Sequence, residues 1–151
     1  MLPHVIAFDP GPALPKPNCG IAWTIPAKDE VRATQITFVQ LLQRLPEILG
    51  RRPLDVVIIE DYLINPNKPQ TEAVPTAKTI GILQYAAMLW APLGCPVVLQ
   101  YNGVMAPTLG RMKAYGIESV AKGSHAKAAE AHLMHYLFRE TKIQMEKARE
   151  L

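Results

Sequence analysis

Val5-Ile6-Ala7-Phe8-Asp9-Pro10-Gly11 is the stretch on which the reading of this chain turns. Four apolar residues lead to one carboxylate, and Pro-Gly then halts the run. A short apolar run closed by a turn signal describes a strand buried on both faces. Proline supplies no N–H and glycine tolerates positive φ, so the strand ends there. Asp9 is thereby placed at a sheet edge, on rigid backbone, facing a loop. A carboxylate in such a place is costly to hold unless something positive meets it. The plain alternative is an Asx-type turn residue that caps the strand.

Asp55-Val56-Val57-Ile58-Ile59-Glu60-Asp61 repeats the design, an apolar run that ends in acid. Its Val and Ile side chains are β-branched and favour strands. Two buried strands that each present a carboxylate at one end can bring both to one edge of a sheet. Carboxylates at short distance repel unless a divalent cation lies between them. The pairing shifts the reading of Asp9 from turn chemistry to metal chemistry.

The composition sets bounds. A chain of 151 residues suits a single domain and buries enough surface to need no disulfide staples. Cys19 and Cys95 are too few for a disulfide framework and lack zinc-ligand spacing, so both read as reduced thiols in or near the core. No apolar run approaches a membrane span, and the N-terminus lacks a basic region followed by a signal-length apolar run. A cytoplasmic protein is expected, with no membrane partner. The net charge of +3 is too mild to identify a nucleic-acid binder by itself. Placement says more: Lys68, Lys78, Arg111, Lys113, Lys122 and Lys127 fall in or near loops expected around the acidic edge. A basic rim around an acidic centre suits a phosphate-backbone substrate held for metal-assisted attack, whereas scattered lysines ordinarily form a solvated surface.

Along the chain, Pro12, Pro15 and Pro17 stiffen a loop after the first strand, and Cys19 to Ile25 reads as a second strand. Val31 to Phe38 alternates and reads as a third, giving three consecutive antiparallel strands. Val39 to Leu49 has helical spacing, with Pro46 as a kink or boundary. The acidic strand 55–61 follows, then a polar loop over 62–75 that leaves directly from Glu60 and is expected to meet substrate. Thr76 to Leu93 reads as a helix stopped by Gly94, and Pro96 to Tyr101 as another buried strand. Glycines and Pro107 punctuate short helical pieces over 102–123. Ser124, a good N-cap, opens a last helix to about Arg149. The strand–helix–strand steps argue for a partly parallel α/β sheet.

Three strands, a helix, a strand, a helix, a strand and a closing helix, with acids ending the first and fourth strands, is the plan of a ribonuclease H-like fold. The chain resembles the RuvC-type Holliday-junction resolvases of phages and bacteria over nearly its whole length. Ile6-Ala7-Phe8-Asp9-Pro10-Gly11 resembles that family's opening strand with its first metal carboxylate, and Ile58-Ile59-Glu60 its second acidic strand. Ala77-Lys78-Thr79-Ile80-Gly81 is similar to the start of the following helix, and Ser124-His125-Ala126-Lys127-Ala128-Ala129-Glu130 to the last motif. The resemblance implies a five-stranded mixed sheet flanked by helices and a structure-selective DNA endonuclease. It implies Asp9, Glu60 and His125 as metal ligands and catalytic residues, with two magnesium (or manganese) ions per site. Asp9 would bridge the two ions, and His125 could instead orient or deprotonate the attacking water. The implied partner is branched DNA, a four-way junction cut by two matched nicks, and hence a homodimer. Helix 76–93, apolar and rich in small residues, is a candidate dimer surface. Tyr62 and Leu63 fall where the family probes the unstacked junction centre, and Asn67, Lys68, Lys113 and Lys122 are candidate DNA contacts.

The chain departs from the family at one place. The fourth carboxylate is expected three residues after His125, on the same helix face about 60° away, and Ala128 stands there. Three explanations are open: an inactivating Asp-to-Ala change at 128, a natural variant in which Glu130 or Asp61 substitutes, or a binding protein that has lost catalysis. The first is preferred, because Glu130 lies about 140° round the helix from His125. His132 and His135 share a face with His125, but helix-face histidines are more often packing or surface groups than ligands. An actin-like phosphotransferase also opens on a strand ending in Asp-x-Gly, but it needs a second lobe that 151 residues do not supply.

Overall fold

A computed structural model describes residues 2–11, 16–61 and 73–149, with backbone alone for 73–74 and 142–149. Strands β1 (Val5–Asp9), β2 (Cys19–Ile25) and β3 (Glu30–Ile36) form an antiparallel meander. Helix α1 (Phe38–Leu49) crosses to β4 (Val56–Asp61), which pairs parallel with β1. Helix α2 (Ala73–Trp90) crosses to β5 (Val97–Tyr101), parallel with β4. Helices α3 (Met105–Ala114) and α4 (Ser124–Arg149) follow, and short 3-10 turns lie at Pro26–Lys28 and Asn102–Val104. The strand order is β3-β2-β1-β4-β5, a five-stranded mixed sheet flanked by helices, as the sequence led us to expect.

The central strands β1 and β4 are apolar up to their terminal acids because both of their faces are covered. Strand alternation sends Ile6, Phe8, Val57 and Ile59 to one side, where Leu41, Leu45, Leu49 and Leu83 of α1 and α2 close the core. Val5, Ala7, Val56 and Ile58 go to the other, against Ala129, Leu133 and Leu137 of α4. The same period of two assigns Asp9 and Glu60 to the α4 face. Cys19 and Cys95 are both free thiols. No helix among the described residues is long and apolar enough to cross a membrane.

Several boundaries differ from the sequence reading, each for a local reason. The third strand stops at Ile36 because Thr37 caps α1: its Oγ1 accepts from the Gln40 N–H at 3.1 Å, and Gln40 Oε1 accepts from the Thr37 N–H at 2.9 Å. Pro46 does not end α1, whose last turn closes with the Gly50 N–H donating to the Pro46 carbonyl at 2.9 Å. Helix α2 begins at Ala73, before the expected Thr76, and ends at Trp90 rather than Leu93. Pro75 lies in its first turn, where a missing N–H costs nothing. Residues 77–81, expected to open this helix, therefore lie inside it.

Candidate active site

Register builds the site. Gln35 pairs with Gly20, Gly20 with Asp9, and Glu60 with Gln100. Phe8 pairs with Ile59, so one step further along the parallel strands Asp9 stands beside Glu60. Paired residues of neighbouring strands face the same way. Gln35, Gly20, Asp9, Glu60 and Gln100 thus form one row across all five strands, on the face covered by α4.

The row also seats the helix. A Cβ on Gly20 would lie 1.9 Å from the His125 carbonyl oxygen, so only glycine lets the first turn of α4 rest on the sheet. Ser124, expected as the N-cap, is instead the first helical residue. Gly123 precedes it at φ +100°, a conformation that disfavours a side chain, and its carbonyl accepts from the Lys127 N–H at 3.0 Å. The capping acceptor comes from the sheet: Gln35 Oε1 takes the Ala126 N–H at 3.3 Å. Gly20→Ala is expected to lift this turn, moving His125 off Asp9 and costing about 2–3 kcal/mol in urea denaturation. An unchanged midpoint would show that the turn does not bear on Gly20.

His125 Nδ1 lies 2.9 Å from Asp9 Oδ2, so the first and last motifs meet as expected. Asp9 is only 8% exposed. Burial pushes its carboxyl up to about 6; the His125 hydrogen bond pulls it down, and the Glu60 charge adds to the rise. Glu60 is also within hydrogen-bonding reach of Asp9. At one end of the sheet Asp9 stands beside Glu60 and His125 meets Asp9, so positions 9, 60 and 125 are brought together pairwise.

Two further side chains complete the cluster. His132, with no exposed surface, stands between Glu60 Oε2 (3.1 Å from Nε2) and Gln100 Oε1 (2.9 Å from Nδ1). The sequence showed His132 on the His125 face and Gln100 inside a strand expected to be buried; β5 is instead the sheet edge, with Leu99 and Tyr101 exposed. Nothing in the sequence told that His132 and Gln100 meet across 32 residues.

The proposed substitutes for the missing acid are accounted for. Glu130, 1% exposed, accepts from Ser119 Oγ at 2.6 Å and the Val120 N–H at 2.8 Å, tying the segment before α4 to the helix. Asp61, one residue past Glu60, faces the opposite side of the sheet. Ala128 is buried, and helical phase puts it beside His125 and His132.

The basic rim is only partly where it was expected. Lys122 and Lys127 flank the start of α4 and are exposed. Arg111 lies 5.7 Å over the Phe138 ring, which also receives Tyr115 edge-on. Phe138 is thirteen residues, roughly 20 Å, along α4 from His125. Arg111 and Lys113 therefore belong to the far end of α3, because α3 packs along α4 away from the acids. Tyr62, Leu63, Asn67 and Lys68 lie outside the described residues. Burial pushes the Cys19 thiol up to about 11, so it is no nucleophile for the site. His135 stands apart from the cluster, its basicity lowered by burial and then by the neighbouring His132, Arg139 and Arg111.

As a cation site, the donor set is mixed. Two carboxylates crowded together, one with its acidity suppressed, are the negative density that a divalent ion relieves. His125 is engaged with Asp9, and among the described residues no three His, Cys, Asp or Glu side chains are gathered as a ligand set. The fit is thus to the carboxylate pair, with His125 as the adjoining nitrogen donor.

No family model and no curated protein matches the sequence. Solved structures do match the fold. Thermus thermophilus RuvC in complex with a Holliday junction substrate superposes with a TM-score of 0.66 at 16% identity, covering 93% of this chain and 96% of that one. A second structure of Thermus thermophilus RuvC gives a TM-score of 0.58 at 18% identity, covering 92% and 96%.

Proposed function

We propose that this chain, folded as the RuvC resolvases are, is a divalent-metal-dependent endonuclease that resolves four-way DNA junctions by paired nicks. The observation that carries the reading is the side-by-side placement of Asp9 and Glu60 at one end of a RuvC-type sheet, where α4 adds His125. The solved RuvC complex holds a Holliday junction, and the same class of substrate is proposed here.

Asp9 and Glu60, with His125, would hold two magnesium or manganese ions, which suit carboxylate ligands and tolerate one imidazole. When bound, such a pair supplies an activated water and stabilises the departing 3′ oxygen. Asp9, carried on the end of a central strand, offers the carboxylate nearest both Glu60 and α4. His125, oriented through Nδ1 by Asp9, has the chemistry to align the attacking water and take its proton at Nε2. Lys122 and Lys127 would meet backbone phosphates beside the site, and Asn67 and Lys68 are proposed as further DNA contacts. Tyr62 and Leu63 would enter the junction centre.

Paired nicks need two sites related by symmetry, so the active form is proposed to be a homodimer. The surface is the outer face of α2, where Ile82, Tyr85, Met88 and Leu89 are exposed; Met88 is 79% exposed. Small residues help here, since a Cβ at Gly81 would meet no neighbouring atom within 4 Å in the single chain. Met88→Glu is expected to give a monomer by light scattering and to uncouple the two nicks. An unaltered mass would place the dimer elsewhere.

The deciding experiment is a labelled four-way junction incubated with magnesium. Symmetric nicks that vanish with a chelator support the proposal. Tight binding with no cleavage, whether position 128 is Ala or Asp, would favour the second reading: a non-catalytic junction-binding protein, for which Ala128 is the supporting observation.

A further inference from the structure

We propose that His132, seated by Gln100, is a positioning residue that fixes the Glu60 carboxylate for metal binding; this rests on the reading of Glu60 as a ligand. A glutamate at a strand end has three rotatable bonds, and its carboxylate is not held by the strand itself. Here one oxygen is taken. Oε2 lies 3.1 Å from His132 Nε2, so Oε1 is the oxygen that would be offered to a cation. The imidazole cannot swing, because its Nδ1 is held 2.9 Å from Gln100 Oε1 and the ring has no exposed surface.

Every link sits on a different rigid element. Glu60 is on β4, Gln100 is its register partner on β5, and His132 lies two turns into α4. A polar ring wholly buried between helix and sheet is costly to maintain for packing alone, since an apolar side chain of similar size would fill the space without needing partners. His132 is not itself placed to be a ligand: both of its nitrogens are spent on protein groups. Residues that orient ligands in this way typically alter metal affinity 10- to 100-fold when removed.

The test is Mn2+ titration followed by electron paramagnetic resonance on the full chain, with metal-free melting measured alongside. His132→Phe is expected to fold, to melt near wild type without metal, and to bind Mn2+ about 10- to 100-fold more weakly. His132→Gln, whose amide can still donate to Glu60, should recover part of that loss. Gln100→Leu frees the imidazole without removing it and should weaken Mn2+ binding in the same direction; it serves if His132→Phe fails to fold. Wild-type affinity in a folded His132→Phe or Gln100→Leu variant overturns the assignment while leaving the nuclease reading intact. Absence of Mn2+ binding by the wild-type chain overturns both.

Discussion

Asp9→Asn is expected to stabilise the protein at pH 7.5 in the absence of divalent ions, and to abolish the proposed cleavage in their presence. Asp9 is held in the folded state with a carboxyl near 6, against 3.8 for the free side chain. A raised carboxyl means that the fold favours the protonated form. That stability is fully present below about pH 4 and is lost as pH rises through about 6. By pH 7.5 the buried charge beside Glu60 costs on the order of 2–3 kcal/mol. Asparagine keeps an oxygen for His125 and carries no charge, so the variant should melt higher than wild type at pH 7.5, with the gap closing toward pH 4. Magnesium should raise the wild-type melting temperature by mass action and leave the variant unmoved. The proposed junction cleavage should fall about a thousandfold or more, because one of the two carboxylates that would hold the ions is lost. A variant no more stable than wild type at pH 7.5 would show that Asp9 is not crowded against Glu60. Magnesium stabilising both proteins equally would place the ion elsewhere.

Ala128→Asp is expected to do the reverse: weaken the metal-free protein and raise magnesium-dependent cleavage on the order of 100-fold. Ala128 is buried and lies about 60° from His125 in helical phase, on the side shared with His132. A carboxylate there would join Asp9 and Glu60 in a space of low dielectric, so the metal-free melting temperature should drop and recover with magnesium or manganese. The neighbouring acids do not supply this group. Glu130 is committed to Ser119 and Val120, and Asp61 faces away. If Ala128→Asp folds, binds metal and gains no cleavage, the missing acid is not what limits the chain, and junction binding without catalysis becomes the better account.

Much of this was legible in the linear chain because it depends on short-range pattern. Apolar runs as short as 5–9 and 56–61 can be buried on both faces only as central strands, and each ended in an acid. Two such strands could bring both acids to one edge of a sheet; that Asp9 and Glu60 also share a face follows from the parallel register of β1 and β4. The Ser124–Glu130 segment marked the start of the last helix, and with it His125. Helix ends were less readable, because they depend on partners outside the helix: α4 is capped by Gln35, 91 residues away.

Local pattern specified which residues end buried strands, and therefore which charges the fold must answer. The partners that answer them were set by long-range packing. The register that aligns Gln35, Gly20, Asp9, Glu60 and Gln100, and the seating of α4 on Gly20, set His125 against Asp9 and His132 between Glu60 and Gln100. Those pairings span 116, 72 and 32 residues. No local propensity encodes them, because they arise only when packing of the whole sheet brings distant side chains within hydrogen-bond range.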